Sequence, residues 1–87
     1  MAENDKSKIV TKIYGREYTI VGEETTDHLH LVARTVDEKM REISAHNQAL
    51  DSGRLAVLTA VNATHDLLKL EEKYRELERE MAQLKGR

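Results

Sequence analysis

Apolar residues recur every three or four positions along the last third of the chain. Leu67, Leu70, Tyr74, Leu77, Met81 and Leu84 follow each other at spacings of 3, 4, 3, 4 and 3, the a/d seam of a coiled coil. Traced backwards, the same register meets Ala63, Ala60 and Ala56. A seam of alanine running into leucine predicts one long helix, from about Arg54 to Lys85, that needs a partner along its length. Its two halves differ. Between Leu55 and Leu68 apolar side chains surround the helix, with Leu55 and Leu58 on one side and Val57, Val61 and Leu68 on another. A helix of that kind is covered on several sides. From Lys69 onward only the seam is apolar, so this half is expected to project as a rod.

Upstream the period changes to two. Ser7 to Tyr14 and Glu17 to Val21 read as strands joined by a Gly15-Arg16 turn of type II′. That reading sets Ile13 opposite Tyr18, Thr11 opposite Ile20 and Ile9 opposite Gly22. One face is then apolar; the other mixes Val10 and Val21 with Lys12, Tyr14, Glu17 and Thr19. A lone hairpin is unstable in water, so it must lie on a helix or pair with another chain. The helical period returns with Leu29, Val32, Ala33, Val36, Met40 and Ile43. Thr26 is the expected N-cap, with Asp27 in the first turn, and Asn47 the expected end. Arg34, Glu38, Arg41 and Glu42 fall on the far side, with Leu31 among them. After a short connection, Asp51 is a candidate N-cap for the long helix, and Leu50 has the spacing to staple onto Leu55.

These elements predict an α+β chain: a disordered tail over residues 1–6, a head over 7–68 and a coiled-coil extension over 69–87. The head would hold the hairpin 7–21, a helix 26–46 and the first half of the long helix. Composition reinforces the need for a partner. The 87 residues include three tyrosines and no Phe, Trp, Cys or Pro. A core this poor in large side chains is marginal in a monomer, and chains of this size usually gain stability from disulfides, metal or oligomerisation. Disulfides are excluded, which fits a cytoplasmic protein. The N-terminal MAENDKSK has no apolar stretch of a secretory signal, and no apolar run approaches the roughly 20 residues of a membrane span. The net charge of −2, with both signs interspersed, argues against a general nucleic-acid binder.

The charges flanking the seam leave the coil's direction open. With Leu67 at a, the g positions are Asp66, Lys73 and Glu80, and the e positions Glu71, Glu78 and Lys85. A parallel pair gains Lys73–Glu78 and Glu80–Lys85 but opposes Asp66 to Glu71; an antiparallel pair offers Lys73 with Glu80. A seam that tolerates both directions invites two dimers to join tail to tail.

Candidate chemistry is thin. No phosphate loop, nucleophile motif or paired catalytic carboxylates can be placed, and no cofactor is implied. His28, His30, His46 and His65 include no i, i+4 pair, and without cysteine no metal pattern forms. His65, among apolar neighbours, reads as a hydrogen-bonded core or interface histidine. Asn62 is either a satisfied interior amide or a polar group that sets the register of an interface. The carboxylates read as solvated helix faces.

Three stretches stand out beside the order hairpin, helix, long helix with a coiled-coil tail: Ile13-Tyr14-Gly15-Arg16, the run from Val36 to Ile43 (VDEKMREI) and the stretch from Leu55 to Asn62 (LAVLTAVN). In that order and in those residues the chain resembles the ZapA family of bacterial cell-division proteins. The chain is similar to the short form found in Gram-positive bacilli. The resemblance implies a non-enzymatic cytoplasmic protein at the mid-cell division site that binds the tubulin-like GTPase FtsZ. It implies a dimer joined through the heads, two dimers joined through the coils, and cross-linking of FtsZ protofilaments. The interspersed charge and the lack of a membrane-length apolar run lead to no nucleic-acid or membrane partner being expected. In such proteins the filament-binding surface lies on the head. Arg16 carries over by position; Arg34, Glu38 and Arg41 are added from helix geometry. The competing classes are a ribbon-helix-helix DNA-binding dimer, which also sets a strand before two helices, and a generic coiled-coil adaptor.

Placing a charge in the alanine seam tests the expected dimer. Ala60→Glu should abolish the folded dimer, as read by circular dichroism and light scattering. Retained helicity and dimer mass at micromolar concentration would refute the expectation.

Overall fold

A computed structural model describes residues 6–86. Apart from Lys6, the expected tail 1–6 lies outside the described residues, as does Arg87. The chain runs β1 (Ser7–Ile13), β2 (Arg16–Gly22), α1 (Thr26–His46) and α2 (Ser52–Lys85). The strands form a two-stranded antiparallel sheet, and α1 packs against β1 on one side and α2 on the other.

The hairpin departs from the sequence expectation in register and in turn. Ile9 pairs with Ile20, Thr11 with Tyr18 and Ile13 with Arg16, a shift of two residues. The turn is Tyr14-Gly15 rather than Gly15-Arg16, and β1 ends at Ile13. Both turn residues are left-handed, with φ of 51° and 82°, the signs of a type I′ turn, whose twist matches that of the strands. A two-residue shift keeps every side chain on its expected face. Ile9 is buried and Thr11, Ile13 and Ile20 are partly covered, while Val10 and Val21 are exposed. A left-handed tyrosine costs about 1–2 kcal/mol; contacts to α1 offset it, as described below. Gly22 ends β2 where a Cβ would lie 3.0 Å from Cδ2 of Leu29, so the absence of a side chain admits that leucine.

Helix α1 is capped by Thr25, one residue before the expected Thr26. Thr25 is extended, and its Oγ1 accepts the His28 N–H at 3.1 Å. Two adjacent threonines are equivalent as caps in the sequence; the backbone bend decides between them. Leu29 and Ala33 are buried, and Val36, Met40 and Ile43 are partly covered. Val32, assigned to the core stripe, is instead exposed, because the hairpin covers only a narrow strip of the helix.

Helix α2 begins at Ser52, two residues before the expected Arg54, with Asp51 accepting the Arg54 N–H at 2.8 Å. Leu55 and Thr59 are its only buried residues among those described; every residue from Ala60 to Gly86 is exposed. The Thr59 hydroxyl donates to the Leu55 carbonyl at 2.7 Å, so its burial leaves no unmet donor. Covering of α2 on several sides is therefore not achieved by the described residues of one chain. The Cα radius of gyration is 17.8 Å, against about 12 Å for a compact chain of this length. The extents are 54 × 46 × 15 Å; the least of them is little more than one helix with its side chains, about 10–12 Å.

Leu55 is 2% exposed and anchors α2 against the head. Leu55→Ala should lower unfolding free energy by about 2–5 kcal/mol, measured by urea titration at one fixed protomer concentration. A loss under about 1 kcal/mol would mean that the site collapses around the smaller side chain.

Candidate functional site

The hairpin tip is tied to the middle of α1 through one residue. The Tyr14 N–H donates to Asp37 Oδ1 at 2.6 Å, and the Tyr14 hydroxyl meets Ser44 Oγ at 2.8 Å. The Arg41 guanidinium lies over the Tyr14 ring, 5.6 Å from its centroid, and Arg41 Nε donates to Asp37 Oδ2 at 2.9 Å. Asp37, Arg41 and Ser44 stand at i, i+4 and i+7, successive turns of one helix face. The Arg41 hydrogen bond, then the Tyr14 amide, hold the Asp37 carboxyl below the usual carboxylate range; the same Asp37 hydrogen bond raises Arg41.

The four residues singled out for partner binding are all exposed. The structure gathers Arg41 and Arg16 around Tyr14: Arg41 caps its ring, and Arg16 follows it across Gly15. Arg16 also borders a hollow of about 130 Å³ lined by Ile13, Tyr14, Tyr18, Met40 and the first residues of α2. Arg34 and Glu38 share the exposed stripe of α1 with Arg41, Arg34 lying two turns away, roughly 10 Å along the axis. Leu31 continues that stripe, exposed.

Sequence reasoning missed Tyr14, Asp37 and Ser44. The i, i+4, i+7 spacing was available, but nothing in it says that a turn 23 residues earlier would meet that face.

A second polar tie joins the helices. Lys39 Nζ donates to Asn62 Oδ1 and to Asp66 Oδ2, both at 2.8 Å. Asn62 is therefore not an interior amide; it is exposed and holds α1 to α2 within the chain. Asp66, a g position of the seam, has its charge engaged by Lys39, whose hydrogen bond holds the carboxyl below the ordinary range. The tie borders an open groove of about 690 Å³ between the helices, which includes Ile43, Leu58, Val61, His46 and His65. His65 is exposed there, not in a core formed by its own chain.

The residues singled out as an oligomer interface form one uncovered face. Ala56, Ala60 and Ala63 are exposed, and the ladder beyond them runs from 49% exposed at Met81 to 70% at Leu84, with Leu67, Leu70, Tyr74 and Leu77 between. Val57, Val61 and Leu68 are exposed as well. Monomers rarely carry a contiguous apolar face of this length. Among the described residues no group of His, Cys, Asp or Glu is arranged to hold a metal, and no helix is long and apolar enough to cross a membrane.

A small α+β head running into a long helix with an unpartnered heptad face defines a class of assembly proteins. Comparisons narrow it. The family model described as cell division protein ZapA matches residues 9–87. The cell division protein ZapA of Bacillus mycoides (strain KBAB4) is 51% identical over 81 residues, covering 93% of this chain and 91% of that one. Its counterpart in Geobacillus sp. (strain WCH70) is 55% identical over 74 residues, 85% of each chain. A solved structure of a ZapA mutant dimer from Geobacillus stearothermophilus superposes with a TM-score of 0.73 at 46% identity, covering 93% of this chain and 94% of that one. The chain belongs to the ZapA family of cell division proteins.

The depressed carboxyls at Asp37 and Asp66 set the sign of a pH dependence. A carboxylate stabilised in the fold contributes fully above its unfolded pKa, about 3.9, and loses that contribution as pH falls through the lower folded value. The stability advantage of the wild type over Asp37→Asn should therefore be constant from neutral pH to about 5 and shrink on the acid side of about 4. Thermal midpoints of both proteins across that range check it. An advantage that grows with acid would show that the ion pair is not its source.

Proposed function

We propose that this protein is a non-enzymatic cell-division factor that binds FtsZ in the cytoplasm at the division site and cross-links its protofilaments. The observation that carries the reading is the uncovered face of α2 in a chain of the ZapA family. An apolar ladder exposed along a helix of about 51 Å has one economical use, which is to pair with another copy. In this reading Ala56, Ala60, Ala63 and the neighbouring valines join two heads. Leu67, Leu70, Tyr74, Leu77, Met81 and Leu84 pair in a coiled coil that unites two dimers. The division into a head over 7–68 and an extension over 69–87 follows the same logic. Heads held at both ends of a rod make a bivalent linker, and the second contact forms at high effective concentration once the first has formed.

The filament-facing surface proposed is the hairpin tip with the exposed stripe of α1: Arg16, Arg34, Glu38 and Arg41. Charges of this kind act mainly on encounter rate and orientation, and they suit an acidic partner. The ribbon-helix-helix alternative loses its basis: its strand would have to pair between chains, whereas β1 and β2 pair with each other. Nothing favours the generic adaptor over a factor for the filament.

Arg16→Glu should weaken co-sedimentation with polymerised FtsZ while leaving the thermal midpoint nearly unchanged, because Arg16 is exposed beside the turn. Equal binding by wild type and variant at low salt would remove Arg16 from the surface. Deleting residues 72–87 should leave a dimer less stable by a few kcal/mol through lost burial, roughly 25 cal/mol per Å². That dimer should bind single filaments without bundling them, as read by light scattering and electron microscopy. A truncated dimer that bundles as well as the full chain would mean that the two faces of one head pair bridge filaments and that the rod does not.

A further inference from the structure

We infer that Asp37 is a positioning residue whose carboxylate locks the Tyr14-Gly15 turn against α1 and so fixes where Arg16 meets the filament. The inference rests on the filament reading above and deepens it.

Tyr14 is the wrong residue for its backbone. A type I′ turn favours asparagine, aspartate or glycine at its first central position, and Tyr14 holds φ 51°. A hairpin that needed only to reverse direction would be served by Asn-Gly. Tyrosine is accounted for by its contacts: its amide on Asp37, its hydroxyl on Ser44 and its ring under Arg41. All three partners lie on one face of α1, and Asp37 is the centre of the set, because it binds the Tyr14 backbone with one oxygen and orients Arg41 with the other. Backbone held in a sparsely populated region by surrounding structure is characteristic of recognition and clamp sites.

The consequence is geometric. With the tip fixed to α1, Arg16 and the Arg34–Glu38–Arg41 stripe belong to one rigid surface. Without the clamp, the tip can relax, and Arg16 must be ordered each time the filament binds. Ordering costs of this kind are subtracted from affinity, and a preorganised surface avoids them.

A merely structural role for Asp37 would lower stability without regard to Arg16, so a double-mutant cycle separates the two. Full-length wild type, Asp37→Ala, Arg16→Ala and the double variant are compared for FtsZ affinity by co-sedimentation. Hydrogen exchange of the Tyr14 amide is followed in parallel. Asp37→Ala should speed exchange there, because that amide loses its acceptor. It should weaken FtsZ binding about tenfold where Arg16 is present, the scale of a lost charge-assisted hydrogen bond, and by a smaller factor where Arg16 is alanine, because there only the orienting of Arg41 is left to lose. Unchanged affinity, or an equal loss in both backgrounds, overturns the inference. Asp37→Asn keeps an oxygen for the Tyr14 amide and covers the case in which the alanine variant fails to fold; it should show a smaller loss with the same dependence on Arg16, and an equal loss in both backgrounds again overturns it. If the wild-type chain itself does not pellet with FtsZ, the filament reading falls separately, and unchanged exchange at Tyr14 in Asp37→Ala would overturn the clamp on its own terms.

Discussion

Ile9, Leu29, Ala33 and Leu55 are the apolar side chains that this fold buries among its described residues, in a chain that is 39% hydrophobic. Burial at about 25 cal/mol per Å² has to offset about 1–2 kcal/mol of backbone entropy for every ordered residue. Four buried side chains, one of them an alanine, cannot do so. The shortage follows from shape. A narrow hairpin covers one strip of α1, α1 covers the start of α2, and nothing among the described residues covers the rest. Most of the exposed large apolar side chains lie on one long helix, with Val10, Tyr18, Val21, Leu31 and Val32 the exceptions, so a neighbouring copy packed along that helix covers much of what is left.

Polar contacts then fix how the thin head holds together. Lys39 reaches across to Asn62 and Asp66, and Asp37 reaches across to the hairpin tip. Exposed ion pairs contribute little to stability singly, so their role here is angular. They set the direction in which α2 leaves the head and the direction in which the tip points. The cross-linking proposed above would need both fixed, because it depends on where the two heads face.

Much of this was legible in the sequence, and the failures share one cause. The four elements followed from periodicity: alternation over Ser7–Ile13, the 3.6-residue stripe with Leu29 and Ala33, and the heptads from Leu67. Asp51 was legible as a cap because an isolated aspartate before an apolar run has few other readings. The turn was not, because Tyr14-Gly15 is chosen by Asp37, Arg41 and Ser44, which are remote in sequence, against the local preference for a glycine in first place. Asn62 and His65 read as either core or interface groups because their sequence neighbours are apolar; in a single chain those neighbours are themselves exposed, so neither residue lies in a core of its own chain. Val32 failed for the same reason. Sequence reports which surfaces need covering; it does not report whether the cover comes from the same chain.

That question is open to one direct measurement. Thermal unfolding followed by circular dichroism across a dilution series, with mass from sedimentation at each concentration, asks whether folding and association are one process. If the second copy completes the core, the midpoint falls steadily with dilution, and helicity is lost as the dimer mass disappears. A folded monomer with a midpoint independent of concentration would contradict it.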